Sequence, residues 1–139
     1  MIDFSYQKDF QLKHEQDHVH WLHKVADFHD ATVDVLGYVF CDDEYVHSIN
    51  LQHLDHDTYT DIITFDYGTD TVLEGEIYIS IDRVEDNASD LGEDFDTELR
   101  RVMCHGLLHM IGYDDDTTEK KAKMRALENE ALQMFHVKQ

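Results

Sequence analysis

Apolar side chains recur at intervals of three and four residues in two long parts of the chain, a spacing typical of amphipathic helices. The first part runs from about residue 11 to residue 28 and places Leu12 and Leu22 on one face. The second begins at Asp96, a predicted N-cap, and ends at Gly112, because a glycine there can close a helix. We therefore predict two amphipathic helices, each with one face against a core.

Further helices are predicted at the end of the chain and near its middle. The final helix starts at Asp116, with Glu119 three residues later as in a capping box, and reaches about Phe135. Segments rich in β-branched and aromatic residues predict three strands. The predicted middle elements are a strand over 31–40, a helix over 41–54, and strands over 60–68 and 74–81 that are separated by turn residues Gly68 to Asp70 and Gly75. Helices and strands do not alternate strictly, which favours an α+β fold.

The chain shows no internal repeat, low-complexity segment or linker, and it contains no proline. A length of 139 residues is typical of one domain, and 42% hydrophobic residues are enough for a core. We therefore expect residues 1–139 to form a single domain. Its two cysteines, Cys41 and Cys104, form no CxxC pair and are expected to be reduced core residues.

Acidic side chains outnumber basic ones, with 31 Asp and Glu against 11 Lys and Arg and a formal net charge of −20. The average surface of such a chain repels nucleic acid and acidic lipid. The sequence has no run approaching the ~20 apolar residues that a membrane span needs, and its N-terminal segment MIDFSYQKDF carries charges and no signal-peptide core. We expect a cytoplasmic protein that has no membrane and no DNA among its partners.

Two pairs of histidines four residues apart are candidate metal ligands. The first pair lies in HEQDH, residues 14–18, which matches the HExxH pattern of zinc proteases. Its internal residues Glu15, Gln16 and Asp17 are all polar, whereas a catalytic zinc helix must be held by packing in a cleft that excludes water. With eleven histidines in the chain, the pattern also arises readily by chance. We therefore predict an exposed helix surface at HEQDH.

The second pair, His105 and His109, lies in HGLLHMIGYDD, residues 105–115, where the helix is apolar. Side chains four residues apart project from consecutive turns on one helix face, so the two imidazoles can share a cation. Gly112 lets the chain fold back, and one of the three aspartates at 114–116 can then complete a site of three ligands with a position left for water. The alternative is a pair of core histidines bonded to buried carbonyl groups.

Position 106 inside this helix is glycine. Glycine costs about 1 kcal/mol relative to alanine within a helix, a cost more readily understood if another group must approach the backbone closely. The glutamate that serves as general base in a zinc protease is also absent from its expected place.

The segment 105–115 resembles the signature of the YbeY-type endoribonucleases, also described as rRNA maturation factors, which reads H-G-x-L-H-L-x-G-Y-D-H. Nine of the eleven positions agree when the wild cards are allowed, Met110 is a mild change, and Asp115 stands in place of the third histidine. Upstream, TDIITF (60–65) and GEIYIS (75–80) are similar to two strands of the same family. The resemblance extends over most of the chain.

This resemblance implies a small mixed β-sheet with flanking helices, one of which carries HGLLH and binds the metal. It implies one zinc ion held by His105, His109 and Asp115, with metal-bound water as the nucleophile and no catalytic side chain identified. Of the neighbouring aspartates, Asp116 is expected to cap the final helix, and Asp114 to support the site or its turn.

The activity that the resemblance implies is hydrolysis of single-stranded RNA. The expected process is maturation of the 3′ end of small-subunit rRNA, together with ribosome quality control. The expected partners are rRNA or the small ribosomal subunit, and a ribosome-assembly protein.

Two positions depart from the family pattern. A carboxylate at Asp115 can still bind zinc, because sites of two histidines and one carboxylate are known. The family also has an arginine where Leu54 aligns, and that arginine is expected to hold or polarise the phosphate. Without it the metal, backbone N–H groups or another side chain must stabilise the phosphoryl oxygens. Arg83, Arg100 and Arg101 are present, but we expect them on the solvated surface.

Three functions remain open on the sequence alone. The first is the metal-dependent endoribonuclease. The second is a zinc-dependent hydrolase of a peptide or another non-RNA substrate, which agrees with the ligand spacing and the acidic surface. The third is a ribosome-assembly factor with a structural metal and no catalytic activity, which the missing arginine permits. The net charge opposes RNA, since phosphate contacts supply much of the affinity for nucleic acid, although a bound metal and a local positive groove can offset it.

Overall fold

The computed structural model describes residues 1–136, and these residues form one mixed sheet and five helices. The strands are β1 (Ile2–Tyr6), β2 (Thr32–Cys41), β3 (Ile62–Asp66) and β4 (Val72–Ser80), and the helices are α1 (Glu15–Phe28), α2 (Asp43–Leu54), α3 (Ile81–Leu91), α4 (Phe95–Ile111) and α5 (Thr118–Gln133). The strand order is β1-β2-β4-β3, in which β3 runs antiparallel to β4 and the other pairs are parallel. The predicted α+β class and the small mixed sheet with flanking helices are confirmed.

Within residues 1–136, no helix combines the length and apolarity that crossing a membrane requires.

Side chains alternate between the two faces of the sheet along each strand, and an apolar cluster is packed on each face. Tyr38 and Phe40 of β2 join Ile77 and Ile79 of β4 in the larger apolar cluster, which includes side chains of α1 and α4. The smaller cluster joins Val46 and Ile49 of α2 to Cys41 of β2 and Ile63 of β3. Cys41 and Cys104 are free and buried as predicted, and burial raises the pKa of Cys41 to about 12.

Two elements escaped the sequence analysis. Strand β1 pairs with β2 at one edge of the sheet, and it is only five residues long, with few buried positions. Helix α3 is capped at its N-terminus by Ser80, whose side chain accepts a hydrogen bond from the backbone N–H of Arg83. It ends at Gly92 with a left-handed φ of 64°. A serine and a glycine at the two ends of a helix are recognised capping signals, so the sequence contained the information needed to predict α3.

Both predicted N-caps are wrong by one or two residues. Helix α4 is capped by Asp94, which accepts from the backbone N–H of Thr97, and Asp96 lies in the first helical turn. Helix α5 is capped by Thr117, which accepts from the backbone N–H of Lys120, instead of by Asp116. In both cases the capping residue has an extended backbone. Several residues near each helix start can serve as caps, and the sequence does not show which of them has that backbone conformation.

Helix α4 lies close against the sheet because two glycines remove side chains from the contact. A Cβ at Gly106 of α4 would lie 2.9 Å from Cδ1 of Ile62 and 3.0 Å from Cδ1 of Ile77, so the predicted close approach at this glycine is confirmed. A Cβ at Gly75 would lie 2.1 Å from the backbone oxygen of Phe65 and 3.0 Å from Cε of Met110. Gly75 lies within β4, in agreement with the predicted strand over 74–81, and does not form part of a turn.

We expect Gly75→Ala to lower the free energy of unfolding by about 3 kcal/mol, since a neighbouring strand would have to move to admit one methyl group. Gly37→Ala in β2 is the matched control, because a Cβ there meets nothing within 4 Å. The measurement is urea unfolding of both variants and the parent. Equal destabilisation by the two substitutions would contradict the proposed contact.

HEQDH forms the start of α1, and its two histidines differ in environment. His14 is the N-cap, with a left-handed φ of 60° and a side chain 54% exposed. His18 is 3% exposed; its ring centroid lies 4.7 Å from that of Phe135, and its Nδ1 lies 2.9 Å from the carbonyl oxygen of His14. The predicted exposed surface is therefore wrong for His18. It belongs to the buried stripe of α1 with Trp21, Leu22 and Val25, and its polar character concealed that role.

Burial lowers the pKa of His18, and the backbone hydrogen bond to His14 acts in the opposite direction. Because the folded-state pKa lies below the unfolded one of ~6.5, the unfolded chain binds more protons. Stability from neutral His18 is present above that pH and is lost as the pH falls towards the folded-state pKa. We therefore expect the parent to lose more stability than His18→Gln between about pH 7.5 and 5.5.

The measurement is the free energy of unfolding in urea at the two pH values. The matched control is His20→Gln, since His20 is exposed on the same helix. Parallel pH profiles for the parent and His18→Gln would show that His18 is not held neutral by the fold.

Candidate functional site

His105 and His109 lie near the C-terminal end of α4 and share one helix face. Their side chains are 21% and 31% exposed, so neither is a fully buried core histidine. The two rings meet edge to face with centroids 4.5 Å apart. Because the opposite face of α4 is buried against the sheet, this pair stays at the surface while its backbone is held rigidly.

The chain reverses at Gly112 and brings Asp115 back over the two histidines. Gly112 has a φ of 120°, which favours glycine, and its N–H donates to the carbonyl oxygens of Leu108 and His109. Oδ2 of Asp115 lies 3.4 Å from Nε2 of His105, and Oδ1 lies 3.6 Å from Nε2 of His109. The reversal that the sequence suggested at Gly112 therefore occurs.

The three side chains have the spacing of a metal-binding group. One ligand atom from each of His105, His109 and Asp115 lies within 4.8 Å of the other two. A tetrahedral zinc ion with bonds of about 2.1 Å separates its ligand atoms by about 3.4 Å. The two distances from the Asp115 carboxylate to the histidines, 3.4 and 3.6 Å, are close to this separation. Within residues 1–136 this is the group of three such side chains that meets the spacing, and it includes neither His14 nor His18.

Glu128 of α5 orients His105. The Nδ1–H of His105 donates to Oε2 of Glu128 at 2.6 Å, and Glu128 is 4% exposed. This contact leaves Nε2 of His105 directed at Asp115. Burial by itself lowers the pKa of His105, but the hydrogen bond and charge of Glu128, together with Asp115 and Asp61, outweigh it and raise that pKa. A carboxylate on the second nitrogen is the usual means of fixing the tautomer of a metal-binding histidine.

Arg101 lies in the same network, which corrects the prediction that it is a solvated surface residue. Its side chain is 11% exposed, and Nη1 donates to Oδ1 of Asn129 at 2.9 Å and lies 3.5 Å from Glu128. Its Nε lies 3.4 Å from Oε1 of Glu98. Burial raises the pKa of Glu98, while the charge of Arg101 acts in the opposite direction. The guanidinium is thus fixed by carboxylates on α4 and α5.

The other expected arginines lie elsewhere. Arg100 places its guanidinium carbon 4.3 Å from the ring centroid of Phe135. Arg83 forms an ion pair of 3.1 Å with Asp43 and is 38% exposed. Leu54, at the position of the family arginine, is the last residue of α2 and is 42% exposed. It lies outside the set of residues that line the cavity beside the histidines.

A cavity of about 270 Å³ opens beside His105 and Asp115, between α4, α5 and the segment before β3. Asp61 forms part of its wall and accepts a hydrogen bond from Nδ2 of Asn87 at 3.3 Å. Burial raises the pKa of Asp61, against a lowering by His105. The cavity residues that the sequence analysis missed as site residues are Asp61, Glu98, Lys121, Arg125 and Glu128.

One sequence signal could have found Glu128. The buried residues of α5 are Met124, Glu128 and Ala131, at helical spacings of four and three. A carboxylate in the apolar stripe of a helix requires a buried partner, since an unpaired buried charge is costly. That partner is His105, on a different helix, and the sequence does not identify it.

Comparison with known proteins identifies the family of this chain. The family model described as Endoribonuclease YbeY matches residues 2–136. The Endoribonuclease YbeY of Flavobacterium johnsoniae is 45% identical over 139 residues, which covers 100% of both chains. That of Cytophaga hutchinsonii is 44% identical over 132 residues and covers 94% of this chain and 92% of its own.

The fold is also found among solved structures. The solution structure of TM1509 from Thermotoga maritima matches with a TM-score of 0.69 and 24% identity, over 96% of this chain and 88% of that one. At this identity the match supports the fold alone. The family match over nearly the whole chain and the similarity to full-length relatives show that this protein belongs to the Endoribonuclease YbeY family.

Proposed function

We propose that this protein is a metal-dependent endoribonuclease that cleaves single-stranded RNA. Family membership supports the reaction class. The observation that carries the proposal is the convergence of the Nε2 atoms of His105 and His109 on the carboxylate of Asp115, at the edge of an open cavity. In this proposal residues 1–139 are one catalytic domain. It acts in the cytoplasm, in maturation of the 3′ end of small-subunit rRNA and in ribosome quality control. Its partners are rRNA or the small ribosomal subunit and a ribosome-assembly protein.

The metal in this proposal is a single zinc ion bound by His105, His109 and Asp115. Two imidazole nitrogens and one carboxylate oxygen form a donor set that zinc takes in hydrolytic sites with an open position. When bound, such an ion supplies Lewis-acid chemistry, activating water and polarising a phosphoryl oxygen.

Glu128 is a positioning residue in this scheme. Its carboxylate contacts His105 at 2.6 Å, Arg101 at 3.5 Å and Arg125 at 3.8 Å. Because its Oε2 is bonded to His105 and the residue is nearly fully buried, Glu128 acts through His105 and not directly on a substrate. It fixes the tautomer in which Nε2 of His105 is free to bind a metal.

The ligand assignment predicts the metal content of variants. We expect His105→Ala, His109→Ala and Asp115→Asn to lose zinc, because a site of three protein ligands that loses one retains too few bonds. His14→Ala should retain it. Asp116→Asn should also retain it, since the Asp116 side chain is 70% exposed and lies 3.3 Å from Lys120.

The measurement is zinc per protein chain by elemental analysis after dialysis. Zinc bound as tightly by Asp115→Asn as by the parent would remove Asp115 from the site. Loss of zinc from His14→Ala would indicate a role for HEQDH.

The proposed activity predicts which polymer the zinc-loaded protein cleaves. We expect cleavage of a single-stranded RNA, little cleavage of the same sequence in a duplex, and no cleavage of a peptide library, with His109→Ala as the inactive control. The readout is separation of products on a denaturing gel for RNA and mass spectrometry for peptides. Peptide cleavage would favour the non-RNA hydrolase, and cleavage of neither polymer would favour an assembly factor with a structural metal.

A further inference from the structure

Three cationic side chains line the cavity beside the histidines, and the sequence alone did not predict them there. Arg101 of α4 and Lys121 and Arg125 of α5 line it together with His105 and Asp115. These three cations are among 11 Lys and Arg in a chain with a net charge of −20. Their concentration in one small cavity therefore contrasts with the rest of the composition.

The cations on α5 are available to a ligand. Lys121 and Arg125 are four residues apart, so they project from the same face of the helix. Lys121 is exposed, and the Arg125 side chain is 52% exposed, with Nε 3.8 Å from Glu128. A distance of 3.8 Å is too long for a hydrogen bond, so Nε of Arg125 is not held by Glu128, and the half-exposed guanidinium can contact a bound anion.

Arg101 has a different role, because its charge is already compensated by neighbouring carboxylates. It is held between Glu98 and Glu128 and is largely buried. Within the described residues, neither its Nε nor Oε1 of Glu98 has a hydrogen bond, although the two atoms lie 3.4 Å apart. We therefore assign Arg101 to the wall of the cavity, and the two exposed residues of α5 to contact with a ligand.

The sign of the charge in this cavity depends on the metal. Three cationic and four carboxylate side chains line it, so the net charge is about one negative unit with His105 neutral. A divalent ion on the histidines and Asp115 reverses that sign. An anion should consequently bind well only after the metal, and by thermodynamic reciprocity the anion should strengthen metal binding.

We propose that this cavity binds a phosphodiester group of the substrate strand, and that Lys121 and Arg125 contact its non-bridging oxygens. The inference rests on the proposed function, since it places a phosphate next to the proposed metal site. It also provides a source of positive charge in place of the family arginine, since the aliphatic side chain of Leu54 offers no hydrogen-bond donor. In this proposal the positive charge that the family resemblance led us to expect at Leu54 comes from Lys121 and Arg125 of α5.

The first test uses inorganic phosphate as the probe with the full-length, zinc-loaded protein. The variants are Lys121→Gln, Arg125→Gln and their combination. The matched control is Lys123→Gln, which removes the same charge from the same helix. Its Nζ lies 5.5 Å from the ring centroid of Tyr113, outside the cavity. Calorimetry measures the dissociation constant for phosphate, and elemental analysis verifies that zinc content is unchanged.

We expect each cavity substitution to weaken phosphate binding about fivefold to tenfold, and Lys123→Gln to leave it unchanged, since one charge-assisted contact is worth about that much at a partly exposed position. Removal of zinc should weaken phosphate binding by more than either substitution. Phosphate bound equally by the parent, Lys121→Gln and Arg125→Gln would overturn the assignment.

The second test uses the single-stranded RNA. The cavity substitutions should raise KM more than they lower kcat, and each should reduce the slope of log affinity against log salt by about 0.7. RNA cleaved by the variants with the KM and kcat of the parent would overturn this inference while leaving the proposed function intact. Phosphate binding that depends on Lys121 and Arg125 in a protein that cleaves no RNA would support the anion site and reject the proposed function.

Discussion

The close contact between α4 and the sheet is the constraint on which the site depends. It exists because Gly106 and Gly75 present no side chains where the helix crosses β3 and β4. A helix held this near the sheet has one face fully committed to the core, so His105 and His109 are confined to the free edge. The glycine that weakens the helix locally is therefore what fixes the position of its histidines, and rigid support of ligands is what a metal site requires.

The second layer of the site is built by packing between α4 and α5. Glu128 lies in the buried stripe of α5, and α5 is tied to α1 by the indole N–H of Trp21, which donates to the carbonyl oxygen of Ala131 at 2.7 Å. The orientation of His105 thus depends on contacts that begin in α1. A buried carboxylate is tolerated only when it is paired, and Glu128 is paired with a histidine and flanked by arginines. Loss of one member of this network should therefore disturb the others.

The sequence predicted the parts of the site that are local in the chain and missed those that are not. The histidine spacing and the break at Gly112 lie within eleven residues and follow from helix geometry, which also returns one of three aspartates to the site; the family resemblance is what implied Asp115. Glu128 and Arg101 meet the site only through tertiary packing, so spacing could not place them. The same limit explains His18, whose polar side chain was taken for surface although its position lies on the apolar face of α1. Most elements in the middle of the chain were predicted because apolar and polar residues alternate clearly in them. The short edge strand β1 has only one buried residue and gives no such signal.

The net charge is a poor guide to what binds at one cavity. Charges separated by more than the Debye length of about 8 Å at physiological salt are largely screened when exposed. The carboxylates remote from α4 and α5 therefore contribute little to the potential at His105, and the nearby cations and a bound metal contribute most. The acidic remainder of the surface still matters, because it offers few contacts for non-specific binding of nucleic acid. In the proposed function, a strand that binds such a protein would gain its affinity mainly at the metal-loaded cavity, so that binding and productive placement of a phosphate would be the same event.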